Sequence, residues 1–106
     1  MDGMAPTVEV ADRPAQGRYE IRVDGQVAGI AQYRSRPGRI EFVHTEVGDE
    51  FEGQGLGARL ISFALDDARA RGLEVLPSCP FVRSYIQRHP DYIDLVPEKL
   101  RGRFEL

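Results

Sequence analysis

The chain of 106 residues has one cysteine, Cys79, no tryptophan and a single lysine, Lys99. One cysteine closes no internal disulfide, which excludes a disulfide-stapled secreted scaffold. The longest apolar-looking segment, residues 60–65, falls far short of the roughly 20 residues of a membrane-spanning helix. Basic charge is not in excess either: Lys+Arg 14 against Asp+Glu 17 gives a net charge of -3, so no nucleic-acid footprint is expected. The opening Met1-Asp2-Gly3-Met4-Ala5-Pro6 has neither the basic patch nor the apolar stretch of a secretory leader. A reducing, cytoplasmic setting follows as the expectation, with no membrane or nucleic-acid partner and no metal.

What is present is ordinary globular usage, with 42% hydrophobic and 29% charged residues. A chain of this size buries roughly two-thirds of its unfolded surface, enough for one modest core. One domain is therefore expected, with its core over about residues 7–96 and a tail over 97–106. A short strand is expected near residues 7–10. Tyr19, Ile21 and Val23 alternate with Glu20 and Arg22, the period of a half-buried strand. Asp24-Gly25 is a hairpin turn, because a type I′ turn requires positive φ at both central positions. The return strand runs over about residues 26–33, with Gly29 as a candidate bulge. Ser35-Arg36-Pro37-Gly38 marks a second turn, and a strand follows over residues 39–47. Strict alternation there places Ile40, Phe42 and His44 on one face.

The second half changes period. Leu56, Leu60, Ile61, Ala64 and Ala68 form the apolar stripe of a helix over about residues 55–71, with Gly72 as its left-handed C-terminal residue. A short strand over residues 73–76 should end at Pro77. A second helix should start at Pro80 and stop before His89-Pro90. The fold class is thus α+β: a mixed, mostly antiparallel sheet with one βαβ unit, its crossover strand parallel to the strand before it, and helices packed on the sheet.

Glu52-Gly53-Gln54-Gly55-Leu56-Gly57-Ala58 joins the third long strand to the helix. Glycines admit a ligand close to the backbone, and the unpaired N–H groups of the first helical turn, with the positive end of the helix dipole, suit a phosphate or pyrophosphate. Two ligand classes fit. Gly53-x-Gly55-x-x-Ala58 matches a dinucleotide fingerprint, but a meander precedes it and Glu74 lies at the wrong end of the next strand. The other class is coenzyme A. Here the chain resembles the GNAT superfamily of N-acetyltransferases, in particular its compact single-domain members. The resemblance is carried by the glycine loop, by Val43-His44-Thr45-Glu46-Val47 before it, and by Pro77-Ser78-Cys79-Pro80-Phe81-Val82 with Tyr85-Ile86 and His89-Pro90 after the helix. Glu52 stands where that superfamily has Arg or Gln, which leaves the cradle to the backbone.

The resemblance implies a CoA-dependent acyltransferase that moves an acyl group, acetyl in the first instance, from acetyl-CoA to an amine. The alternative from another class is a non-catalytic CoA-binding or interaction module. It further implies that Gln54, Gly55, Leu56, Gly57 and Ala58 hold the pyrophosphate, and that backbone groups of Thr45 and Val47 hold the pantetheine arm. A lysine-like amine with a pKa near 10.4 is neutral about once in a few thousand molecules at pH 7, so a base or a water relay is useful. Glu46 and His44, two residues apart on one strand, are the candidate bases. The alternatives are a loop charge for Glu46 and a packed imidazole for His44. The resemblance offers Tyr85 as proton donor to the departing thiolate; a core aromatic is its other reading. Cys79, at a helix N-terminus, is either an acyl acceptor, a wall beside the CoA sulfur, or a small buried thiol. A monomer or weak homodimer is expected.

Overall fold

The structure, a computed structural model, describes residues 5–106; the Met1–Met4 portion of the segment read above for a leader lies outside the described residues. Five strands form one sheet in the order β1-β2-β3-β4-β5: β1 (Val8–Arg13), β2 (Arg18–Val23), β3 (Gln26–Arg36), β4 (Arg39–Val47) and β5 (Glu74–Pro77). The first four pair antiparallel, and β5 joins β4 in parallel. Asp24 and Gly25 both take positive φ (50° and 82°), so the β2–β3 hairpin turns as its dipeptide requires.

Helix α1 (Leu56–Ala70) connects β4 to β5, and α2 (Pro80–Arg88) follows β5. The core lies between these helices and one face of the sheet, where Tyr19, Ile21, Ala31, Ile40 and Phe42 meet Leu60, Ile61, Ala64 and Leu65. Gly72 sits at φ 68° after α1, while the N–H of Leu73 donates to the carbonyl of Ala68 at 2.9 Å and closes the helix end. Of residues 97–106, expected as a tail, Phe104 is buried in the core and Leu100 and Leu106 pack against it. Short 3₁₀ turns at Pro90–Leu95, Glu98–Leu100 and Gly102–Phe104 return the chain to the domain. Leu95, Val96 and Phe104 are buried there. Such turns carry no regular apolar period, so pattern reading does not find them.

Two bulges interrupt the pleat. One lies between β2 and β3, where Ile21 pairs with Gly29 but Arg22 pairs with Val27, leaving Ala28 as the extra residue beside the expected glycine. The other matters more. Tyr33 pairs with Phe42 and Gln32 with His44, so Val43 is extra in β4 and the alternation changes phase there.

The sheet face opposite the helices carries one fully buried charge. Glu20 is 1% exposed because Arg13, Arg18 and Arg22 close over it. Arg18 donates through Nε and Nη2 to one carboxylate oxygen at 2.9 and 2.6 Å, and Arg22 donates to the other at 3.1 and 2.9 Å. Burial pushes this carboxyl up, but the hydrogen bonds from Arg18 and Arg22 outweigh it and hold Glu20 below its ordinary value of 4.5. Its contribution to stability is therefore present above pH 4.5 and is lost as pH falls through the lower folded value. Glu20→Ala should cost about 2 kcal/mol in urea unfolding at pH 7, less than a fully buried pair because the arginines can rehydrate. The difference from wild type should shrink in acid. An equal difference at pH 3 and pH 7 would show that packing, not charge, is what Glu20 supplies.

Candidate functional site

The site begins where β4 outruns its neighbour. β5 ends opposite Phe42, and the N–H of Cys79 donates to the Phe42 carbonyl at 2.8 Å as the last backbone link on that side. Beyond Phe42, β4 continues to Val47 with β3 as its strand partner. The chain then passes through a 3₁₀ turn, Asp49–Phe51, and the glycine loop into α1. A cavity of about 340 Å³ lies between this strand end and the helix start, lined by Thr45, Glu46 and Val47 on one side and Gly53, Gly55, Leu56, Gly57 and Ala58 on the other.

The loop leaves its backbone open on the cavity side. Gly53 (φ 82°) and Gly55 (φ 73°) adopt the left-handed conformation that side chains disfavour. A Cβ built on either would meet nothing within 4 Å, so the space beside them is open. Gly55 is the N-cap of α1 and supplies no side-chain hydrogen bond to the first turn. The leading N–H groups of a 15-residue helix thus have no internal cap, and the macrodipole adds its positive end. That combination fits a pyrophosphate. Of the residues the sequence assigned to this cradle, Thr45, Val47, Gly55, Leu56, Gly57 and Ala58 line the cavity, and the structure does not bring Gln54 into it.

Four lining residues were not assigned to the site: Glu52 and Gly53 of the loop itself, and two aromatics. Phe51 and Phe81 supply the aromatic walls, and Phe81 is 39% exposed despite its size. A Cβ on Gly57 would stand 2.8 Å from Cζ of Phe81, so glycine at 57 is what lets the ring lie against α1. An aromatic in the first turn after Pro80 was the available signal. It resembles a core residue until the helix orientation is known.

The phase change at Val43 sorts the rest of the strand. Thr45 and Val47 follow Phe42 onto the helix-covered face: Oγ1 of Thr45 is 3.3 Å from Sγ of Cys79, and Cγ2 of Val47 lies beside Ile21 and Gly29. His44 and Glu46 take the opposite face, 54% and 63% exposed, with Nε2 and Oε2 3.8 Å apart. This corrects the expectation that His44 shares a face with Ile40 and Phe42: the extra residue reverses the alternation. The two candidate bases do share one side.

Cys79 is the N-cap of α2, 3% exposed, and touches Thr45 rather than the cavity itself. Its own N–H is spent on Phe42, and Pro80 removes the next donor. Tyr85 is 6% exposed, with its ring stacked on His89 at 4.0 Å between centroids and packed near Tyr92 at 6.0 Å. The structure does not bring it to the cavity lining. Among the described residues no group of three or more His, Cys, Asp and Glu is placed to hold a metal ion, and no helix is long and apolar enough to cross a membrane.

Comparison with known proteins agrees with this geometry. A family model described as GCN5-related N-acetyl-transferase matches residues 18–95. Protein NATD1 of Xenopus tropicalis is 23% identical over 95 residues, covering 85% of this chain and 86% of that protein. The solution structure of a GCN5-like protein from Staphylococcus aureus superposes with a TM-score of 0.65 at 25% identity, covering 84% of this chain and 87% of that one. The ribosomal-protein-S18-alanine N-acetyltransferase of Escherichia coli shares the fold at a TM-score of 0.52 and 20% identity, over 55% of this chain and 38% of that enzyme.

Proposed function

This chain belongs to the GCN5-related N-acetyl-transferase family, and we propose that it transfers an acetyl group from acetyl-CoA to a primary amine. The observation that carries the reading is the cavity that joins the edge of β4 left open beyond β5 to an uncapped helix N-terminus through Gly53 and Gly55. One end offers backbone groups to an extended amide-bearing arm, and the other offers N–H donors to a pyrophosphate.

Acetyl-CoA supplies an activated acyl carbon: as the amine nitrogen bonds to it the C–S bond breaks, and the leaving thiolate takes a proton. The chain's own part is alignment and proton handling. Residues 55–58 hold the pyrophosphate, the backbone of Thr45 and Val47 holds the arm, and Phe51 and Phe81 wall the cavity. Glu46 accepts the proton that the amine must lose, directly or through water, with His44 beside it. Tyr85, stacked on His89, is left a packing role in this scheme.

Direct transfer is favoured over a Cys79 acyl-enzyme. Cys79 has no adjoining Lys, Arg or His in sequence, and its contact is the neutral hydroxyl of Thr45. Mass spectrometry of the protein with acetyl-CoA, with and without an amine panel, tests both statements. Acetylated amine should form while no acyl-protein accumulates, and Cys79→Ala should keep activity within about tenfold. An adduct on Cys79 that discharges to amine at the turnover rate, and disappears with activity in Cys79→Ala, would establish the covalent route. CoA binding with no amine acetylated would leave a binding module.

A further inference from the structure

At one edge of the sheet β5 is four residues long; at the other β1 is six residues long and pairs, among the described residues, with β2 alone. The hydrogen-bonding parity of β1 is fixed by its neighbour. The N–H of Asp24 donates to the Thr7 carbonyl at 2.8 Å, so in the register that sets Val8 opposite Val23 the bonds to β2 fall at Thr7, Glu9, Ala11 and Arg13. The other side of β2 gives the same parity. The N–H of Tyr33 donates to the Gly17 carbonyl at 2.9 Å, so Tyr19 and Ile21 bond β3 and leave Arg18 and Glu20 to bond β1. Val8, Val10 and Asp12 therefore turn both backbone groups outward, away from the sheet. The next outward positions in either direction, Pro6 and Pro14, have no N–H to give. A row of this kind is a template for one more strand, with a proline at each end.

We infer that the added strand is β1 of a second copy of this chain, laid antiparallel about a two-fold axis through Ala11. The strand is complementary to itself about that point. Glu9 and Arg13 flank Ala11 at equal distance on the sheet face that carries Glu20, so the axis sets Glu9 of each copy opposite Arg13 of the other. In the same register Val10 and Asp12 exchange N–H and carbonyl bonds with Asp12 and Val10 of the second copy, which uses the outward groups. Both charged heads are within reach of the seam. Glu9 is exposed, and Arg13, 46% exposed, gives Glu20 its Nε alone at 3.4 Å, leaving the guanidinium end for a second carboxylate. Asp12 brings no free carboxylate to the helix side of the seam, because the Tyr33 hydroxyl donates to it at 2.6 Å and Arg71 at 3.5 Å. An unrelated strand would need this order of charges by coincidence; a second copy has it by symmetry. The seam is one strand wide, well below the size of a permanent interface, so the dimer is weak and concentration-dependent.

Sedimentation equilibrium of the full chain should show a reversible monomer–dimer equilibrium, and amide exchange at Val10 and Asp12 should slow as protein concentration rises. Glu9→Arg and Arg13→Glu each set like charges face to face at both ends of the seam, and each alone should weaken the dimer at least about tenfold. Mixed in equal amounts, the two variants should restore it to within about threefold of wild type, because a mixed pair again opposes unlike charges at both ends. Mixing would not mend a merely structural loss. Should Arg13→Glu unfold by loosening the cluster around Glu20, the exchange of Val10 and Asp12 in the unaltered chain decides the matter alone. A dimer indifferent to both reversals, or protection that rises at amides other than these two, would overturn the inference. So would a chain that stays monomeric at every concentration, which would leave the edge to an extended segment of another protein.

Discussion

Gly55→Val should lose CoA binding altogether in calorimetry, a weakening of at least ~100-fold, while the far-UV signal of the sheet and α2 is retained. Two effects combine at this position. Gly55 sits at φ 73° as the N-cap of α1, where a β-branched residue costs about 1–2 kcal/mol of backbone strain and pulls the loop toward another conformation. The Cβ direction meets no protein atom within 4 Å, so the methyl groups would project into the open space beside the loop. The variant therefore unmakes the cradle's shape and fills its mouth together. The sheet meets this loop only through the end of β4, which is why folding should survive. Gly53→Ala is the milder companion: it also imposes a side chain at positive φ (82°) in open space, two residues farther from the helix, and should weaken binding without abolishing it. Unchanged affinity in Gly55→Val would remove the loop from the cofactor site.

The glycine loop could be read in advance because its signal is local. Positive φ, close approach and a helix start all leave their mark on a few consecutive residues. The hairpin at Asp24-Gly25 and the stop at Gly72 were legible for the same reason. The face on which His44 lies was not. It depends on one extra residue, Val43, whose insertion shows only in the pairing of β4 with β3. Val43 has ordinary strand propensity, and no glycine or proline marks the bulge. Phe81 was hidden differently. Its role depends on two helices meeting at Gly57, 24 positions earlier, a contact between distant segments that local pattern cannot supply. The burial of Phe104 falls in the same class, since 3₁₀ turns have no period long enough to announce a buried face.

The face of β4 leads to the second large effect. Glu46→Gln should lower turnover on the best cationic amine about 100-fold at pH 7, with CoA affinity unchanged, because the proton moves only after the cofactor is docked. The reason lies in the acceptor's own equilibrium. An alkylamine with a pKa near 10.4 is almost wholly ammonium at pH 7, and the thioester can be attacked only by the free base. Glu46 stands on the open face of β4 and lines the cofactor cavity, and under the proposed transfer its carboxylate receives the ammonium's proton. Gln keeps the shape and removes that capacity. As pH rises toward 10 the amine deprotonates in solution, so the deficit of Glu46→Gln should narrow, a trend that a merely structural loss would not follow. His44 lies 3.8 Å from Glu46, beyond hydrogen-bond reach, so His44→Ala should cost only a few-fold. Both side chains are more than half exposed, and neither substitution should move stability by more than about 0.5 kcal/mol. The deficit of Glu46→Gln should fall chiefly on kcat, with KM little changed. If Glu46→Gln and His44→Ala both retain near-full kcat at pH 7, the proton leaves through water and Glu46 serves only as a wall of the cavity.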